Sequence, residues 1–146
     1  MKDKIIKTIY KVAGFIGLSF VVLFLSGLTE IWIREIGIVT FSIVGIVLGV
    51  AVEELFKFIP LWQSKIKIDP LEYLLVLATV FTLFEFFHNH WTLVDLQSFG
   101  GRLRLVPHYL FIGSYLLGAR ENKYLGLGMS TTSHLVWNFA VLFLFK

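Results

Sequence analysis

Glu53, Glu54 and Lys57 interrupt an apolar run that otherwise extends from Ile36 to Trp62, and Glu85, His108, His134 and Asn138 interrupt three later ones. Ionisable groups at membrane depth are costly unless paired or hydrated, so their default meaning is a functional site: acid–base chemistry, ion relay or metal ligation. Cysteine is absent, which excludes a disulfide framework and any thiolate-bound metal. A metal here would have to use histidine and carboxylate.

The elements that must carry these residues follow from composition. Of 146 residues, 57% are hydrophobic and only 16% charged, and the mean hydropathy is +0.81. That is more apolar surface than one water-soluble core of this size can hide, so the chain reads as an integral membrane protein. The apolar runs are too long for barrel strands and lack strict alternation. The expected fold is an all-α, polytopic membrane helical bundle forming a single domain over 1–146, with about five transmembrane helices at roughly 12–28, 36–62, 71–88, 105–119 and 126–145. The Asp69-Pro70 pair and the charges before it mark a turn. Residues 90–101 read as the longest loop, and Arg120-Glu121-Asn122-Lys123 as a tight polar turn. The first span resembles a signal peptide but has no small-residue cleavage site before Thr29, so it is expected to be retained. With a cytoplasmic N-terminus, Lys2, Lys4, Lys7, Lys11, Lys57, Lys65, Lys67, Arg120 and Lys123 lie inside, against Arg34, Arg102, Arg104 and Lys146 outside. The positive-inside rule supports that orientation. The net charge of +3 is scattered over loops, which argues against a nucleic-acid partner.

Depth supplies the first sign that the polar residues meet. At about 1.5 Å per residue, Glu54 and Glu85 lie roughly 20 to 25 Å above a turn near Ile68, and His108 and His134 roughly 18 to 21 Å above one near Asn122. Unrelated apolar helices have no reason to place polar groups at one level, whereas a shared hydrated site requires it. The match depends on the second helix continuing through Pro60. Glu85 with His88 and His134 with Asn138 project from single helix faces. Glu53 and Lys57 have the favourable i,i+4 order, which leaves Glu54 without a partner on its own helix. Gly45, Gly49 and Glu53 form a small-xxx-small stripe that would let another backbone come close.

Glu53-Glu54-x-x-Lys57, Phe81-x-x-x-Glu85, Arg102 or Arg104 followed by Pro107-His108 with Gly113 and Gly118, and His134-x-x-Trp137-Asn138 together resemble the PrsW group of intramembrane proteases. That group belongs to a superfamily with the CAAX prenyl proteases and the bacteriocin-processing and immunity (Abi, CPBP) proteins. The motifs of the wider superfamily are EExxxR, FxxxH and HxxxN. Phe84-x-x-x-His88 and His134-x-x-x-Asn138 satisfy the last two, but Phe58 stands where the first has arginine. The PrsW-like pattern with Lys57 is therefore the better match. The resemblance covers about 52–138; the chain has fewer spans than most relatives, which leaves room for oligomerisation.

The resemblance implies hydrolysis of a peptide bond in a membrane-anchored protein or peptide, within the cytoplasmic membrane of a prokaryote. Such chemistry needs an activated water and a stabiliser for the tetrahedral oxyanion. Two adjacent carboxylates in a low dielectric cannot both ionise cheaply, so one is expected to serve as general base or proton shuttle. Glu54 is the first choice, with Glu53 held by Lys57. Glu85 and His108 would help to bind the water or a metal, and His134 and Asn138 would orient water or donate to the oxyanion. Zinc held by Glu54, Glu85, His108 and His134 and a metal-free, glutamate-activated water both remain open, since no HExxH spacing is present. Each group also has a plainer use. Glu53 and Lys57 form a structural ion pair, Glu85 sits at a helix end, His108 follows a helix-starting proline, and His134 with Asn138 glues helices together. Two functions of other classes use the same cluster: a small ion- or proton-coupled transporter or channel, and a non-catalytic immunity-type membrane protein.

Overall fold

A computed structural model of the protein describes residues 2–36, 42–63, 68–88, 103 and 105–144. Lys65, Lys67, Arg102, Arg104 and Lys146, named above, lie outside the described residues, as does the whole of the expected 90–101 loop. Five helices account for the described chain: α1 (Lys2–Glu35), α2 (Ile43–Trp62), α3 (Pro70–His88), α4 (Pro107–Ala119) and α5 (Lys123–Leu144). Two stretches, Asp3–Ile33 and Pro70–His88, are long and apolar enough to cross a membrane.

Local chemistry sets the helix starts. Ser42 caps α2 by accepting from the Gly45 amide at 3.1 Å. The second helix thus begins at Ile43 rather than Ile36, because a capping hydroxyl interrupts a run that composition alone reads as continuous. Asp69 accepts from the Glu72 amide ahead of α3, with Pro70 in the first turn. Asn122 accepts from the Tyr124 and Leu125 amides at 3.0 and 2.8 Å and starts α5.

Helix α2 does continue through Pro60. Proline cannot donate to the carbonyl one turn earlier, so this turn is weakened. From α3, the Tyr73 hydroxyl donates to the Lys57 carbonyl at 3.1 Å and supplies a donor beside the break. The carbonyl that Pro60 leaves without its intrahelical donor is that of Phe56, so the Tyr73 bond ties α3 to this turn without replacing the missing one. The helix ends at Trp62, however, so the count from Ile68 to Glu54 is not one continuous helical rise.

The most extensive packing runs from α1 to α2 and α3, from α2 to α5, from α5 to α4, and from α4 to α3. The bundle closes as a ring. Phe58, Tyr73, Leu74, Leu77, Phe81, Ile112 and Tyr115 fill its interior with Phe15 and Val22 of α1. Phe58 stacks on Tyr115 with ring centroids 3.7 Å apart, and Trp62 donates to the Tyr115 hydroxyl at 3.1 Å. The distribution of polarity is inverted relative to a water-soluble bundle. Glu54, Lys57, His108, Ser130 and His134 are buried, whereas Phe20, Phe24, Trp32, Ile43, Leu83 and Val136 are exposed.

A close backbone approach joins α4 to α5. A methyl group at Gly49 meets nothing within 4 Å, but one at Gly126 would lie 2.8 Å from the Tyr115 carbonyl oxygen, and one at Gly118 only 2.9 Å from Gly126 Cα. Gly126→Ala is expected to cost about 1–3 kcal/mol through overpacking against backbone, whereas Gly49→Ala leaves stability unchanged or slightly raised; thermal unfolding of the purified protein in detergent distinguishes them. Tyr73→Phe removes the donor beside Pro60 and is expected to destabilise by about 1 kcal/mol in the same assay.

Candidate active site

Four helices deliver polar side chains to the centre of the ring. On α2, Glu53, Glu54 and Lys57 occupy one face and its flank, as spacings of three and four require. The Lys57 ammonium lies 2.6 Å from Glu53 Oε1 and 2.8 Å from Glu54 Oε1. It also lies 4.8 and 5.7 Å from the ring centres of Phe81 and Phe111. Aromatic faces favour a cation that burial has stripped of water.

Glu54 has no exposed surface and is the most heavily bonded group in the molecule's interior. Its Oε1 receives Lys57 Nζ and lies 2.8 Å from His134 Nδ1, while its Oε2 accepts from the Ser130 hydroxyl. The expectation that Glu53 takes Lys57 and leaves Glu54 unpaired is thus corrected. Lys57 reaches both carboxylates, because i,i+3 and i,i+4 neighbours share one helix face, and α5 supplies two further partners. Glu53 has only the Lys57 contact among the described residues, and its side chain is 25% exposed.

His134 is held from two sides. Phe111 of α4 stacks on its ring at 4.2 Å with 16° between the planes, and its Nδ1 faces Glu54. The centre of the His108 ring is 6.5 Å from that of His134, and Phe81 meets His108 edge-on at 5.3 Å. His108 Nε2 lies 3.0 Å from Glu85 Oε1. The two are within ion-pair range without the alignment of a hydrogen bond, and neither ring nitrogen of this buried histidine has a hydrogen-bond partner among the described residues. Buried polar atoms in that condition are uncommon and call for an explanation such as bound water or a ligand. Beside them, Glu54, Lys57, Leu77, Ala78, Phe81, His108, Phe111 and Ile112 line a cavity of about 10 Å³. That is the lower limit for one water molecule.

Glu54 thus meets His134 and Glu85 meets His108, each residue from a different helix, with the two histidine rings 6.5 Å apart. Asn138 does not join them. It lies half-buried one turn beyond His134 and makes no hydrogen bond among the described residues. His88 is exposed and stacks on Phe84, away from the site. The donors close enough to share a metal are Glu53, Glu54 and His134, whose ligand atoms lie within 4.8 Å of one another. This differs from the set Glu54, Glu85, His108 and His134, since Glu85 and His108 pair with each other on the far side of the cavity. Ser130 was not singled out from the sequence. Its position one turn before His134, on the same face, is the signal that marks it. No protein-family model matches this chain, and no curated protein or solved structure does.

Removing the shared cation should expose the cost of this arrangement. Lys57→Met leaves two carboxylates uncompensated and is expected to destabilise by about 3–5 kcal/mol. Adding Glu54→Gln should recover part of that loss, as a double-mutant cycle followed by thermal unfolding will measure.

Proposed function

We propose that the chain is an integral membrane protein of five helices with a cytoplasmic N-terminus, residing in the cytoplasmic membrane of a prokaryote. The inverted polarity of the bundle supports this: large apolar side chains face outward on every helix, while the charges of α2 face inward. At 20 and 22 residues, α2 and α5 span about 30 Å or slightly more. With 13 residues, α4 reaches only about 20 Å and fits as a short, shielded segment.

Within that setting the reading is an intramembrane endopeptidase of PrsW-like type, cleaving a membrane-anchored protein or peptide. The observation that carries it is the meeting of side chains from four helices: Glu54 with His134, Glu85 with His108, the two histidine rings 6.5 Å apart, and a small buried cavity lined by Glu54, Lys57 and His108. The PrsW-like assignment over the CAAX-like one draws support from α3. Phe81 and Glu85 face the site, while Phe84 and His88 face outward. Lone pairs divide the work between the carboxylates. A carboxylate offers about four acceptor directions, of which Glu54 has three engaged and Glu53 one. Glu53 is then the group free to take a proton from water as its oxygen attacks the scissile carbonyl, and to return it to the departing amine. Lys57 and the nitrogens of His108 stand as donors for the oxyanion. Glu54 and His134 hold Lys57 in place.

Metal-free activation fits the donor set better than zinc does. Lys57 already occupies the space between the Glu53 and Glu54 oxygens, so a divalent cation there would have to displace a like charge. The purified protein is expected to carry no stoichiometric zinc by elemental analysis and to keep its activity in chelator. One observation favours a different class: the complete engagement of Glu54 also suits a non-catalytic protein that uses the cluster to join α2 to α5. Mapping of new N-termini in membrane fractions separates the two readings. Cells expressing the wild-type chain are expected to show cleavages that disappear with Glu53→Gln and with His108→Ala at equal protein levels. Identical N-termini in all three strains would defeat the proteolytic reading.

A further inference from the structure

Hydroxyls in these helices mostly bond back to the carbonyl one turn earlier. Thr8 bonds to Lys4, Ser19 to Phe15, Ser26 to Val22, Thr29 to Leu25, Thr79 to Leu75 and Ser133 to Met129. This local bond is the ordinary habit of serine and threonine inside apolar helices. Ser130 departs from it. Its hydroxyl leaves α5 and donates to Glu54 Oε2 on α2, a contact with no exposed surface on either residue. One turn on, His134 Nδ1 meets the other oxygen of the same carboxylate at 2.8 Å. Two residues of one helix face thus hold the two oxygens separately, which fixes the rotation of the carboxylate about its last bond.

We infer that Ser130 is a positioning residue: its hydroxyl locks Glu54 in the rotation that lets Oε1 serve Lys57 and His134 together. Without that donor, Oε2 becomes a buried acceptor with no partner among the described residues, a condition that costs more than an ordinary hydrogen bond is worth. The carboxylate then turns to recover a bond, and it can do so only by withdrawing Oε1 from one of its present partners. His134 cannot follow, because Phe111 holds its ring plane. Lys57 follows instead and shifts against Glu53, so a hydroxyl that touches neither substrate nor water alters the group that takes the proton.

The kinetic part of the test rests on the proteolytic reading; the spectroscopic part does not. Fluorescently labelled casein serves as the probe, an unstructured polypeptide that reports endopeptidase activity without knowledge of the natural substrate. Ser130→Ala and Ser130→Cys are expected to lower kcat about 10- to 100-fold with KM within about twofold, the pattern of a lost interaction that matters in the transition state. Cysteine preserves the volume but donates weakly, whereas Ser130→Thr keeps the hydroxyl and should restore kcat to within about threefold of wild type. In histidine-labelled protein, the ¹⁵Nδ1 resonance of His134 should move in the alanine and cysteine variants and return in the threonine variant. Wild-type kcat in Ser130→Ala, an unmoved His134 resonance, or a threonine variant as impaired as alanine would each overturn the inference. A wild-type chain that cleaves neither casein nor any membrane protein defeats the proteolytic reading alone, and the His134 resonance then decides the role of Ser130.

Discussion

A carboxylate removed from water must find all its partners inside the protein, and Glu54 imposes that demand on the bundle. Desolvating an ionised carboxyl group costs several kcal/mol, which is recovered only if charge and hydrogen bonds are both supplied with good geometry. Lys57 supplies the charge from the same helix, and Ser130 and His134 supply the rest from α5. The register between α2 and α5 is consequently fixed at one level. A slide of one turn, about 5.4 Å, would strand the carboxylate against apolar side chains. The tight glycine contact between α4 and α5 extends the constraint, since it sets where α4, and with it His108 and Phe111, stands relative to His134.

In the proposed membrane setting, polar groups at the centre and apolar ones at the rim leave little for the hydrophobic effect to do between helices. Association in such a setting depends on packing and on hydrogen bonds between helices. The ring has both. Ser114 pairs with Ser133 at 2.8 Å across α4 and α5, Thr79 with Tyr109 at 3.0 Å across α3 and α4, and Lys11 with Glu72 joins α1 to α3. Among its described residues, helix α1 sends no side chain to the central cluster. Its one fully buried hydroxyl, Ser19, bonds to its own backbone, so its part is to close the ring between α2 and α3.

Much of this was legible in the sequence, for physical reasons that also explain what was not. Long apolar runs mark helices reliably because few other structures satisfy a backbone away from water. Glu54, Glu85, His108 and His134 stood out as ionisable residues within apolar runs, and the bundle pairs Glu54 with His134 and Glu85 with His108. The start of α2 was missed because Ser42 is one small polar residue in an apolar stretch, and only its bond to the Gly45 amide makes it a boundary. Glu54 was misjudged because neighbour rules see a single helix, whereas two of its partners lie 76 and 80 residues away. The close glycine contact of α4 and α5 was missed for a related reason: spacing shows which small residues share a face, but not whether another backbone comes near them, and a methyl group at Gly49 would meet nothing within 4 Å. Asn138 had the right spacing from His134 and still lies outside the cluster, because four residues of helix carry a side chain one turn further from the plane where the others meet.

The pairing of Lys57 with both carboxylates has a consequence for how the chain is made. In the proposed membrane setting, helix α2 is synthesised long before α5, so Glu54 would enter the bilayer without Ser130 or His134. Its counter-ion travels with it, three residues away on the same turn, as does that of Glu53. The nascent helix thus presents a partly neutralised, self-contained ion cluster to the insertion machinery instead of bare charges. An equivalent lysine placed on α5 would give the same finished site, but would leave α2 to cross the lipid as a dianion.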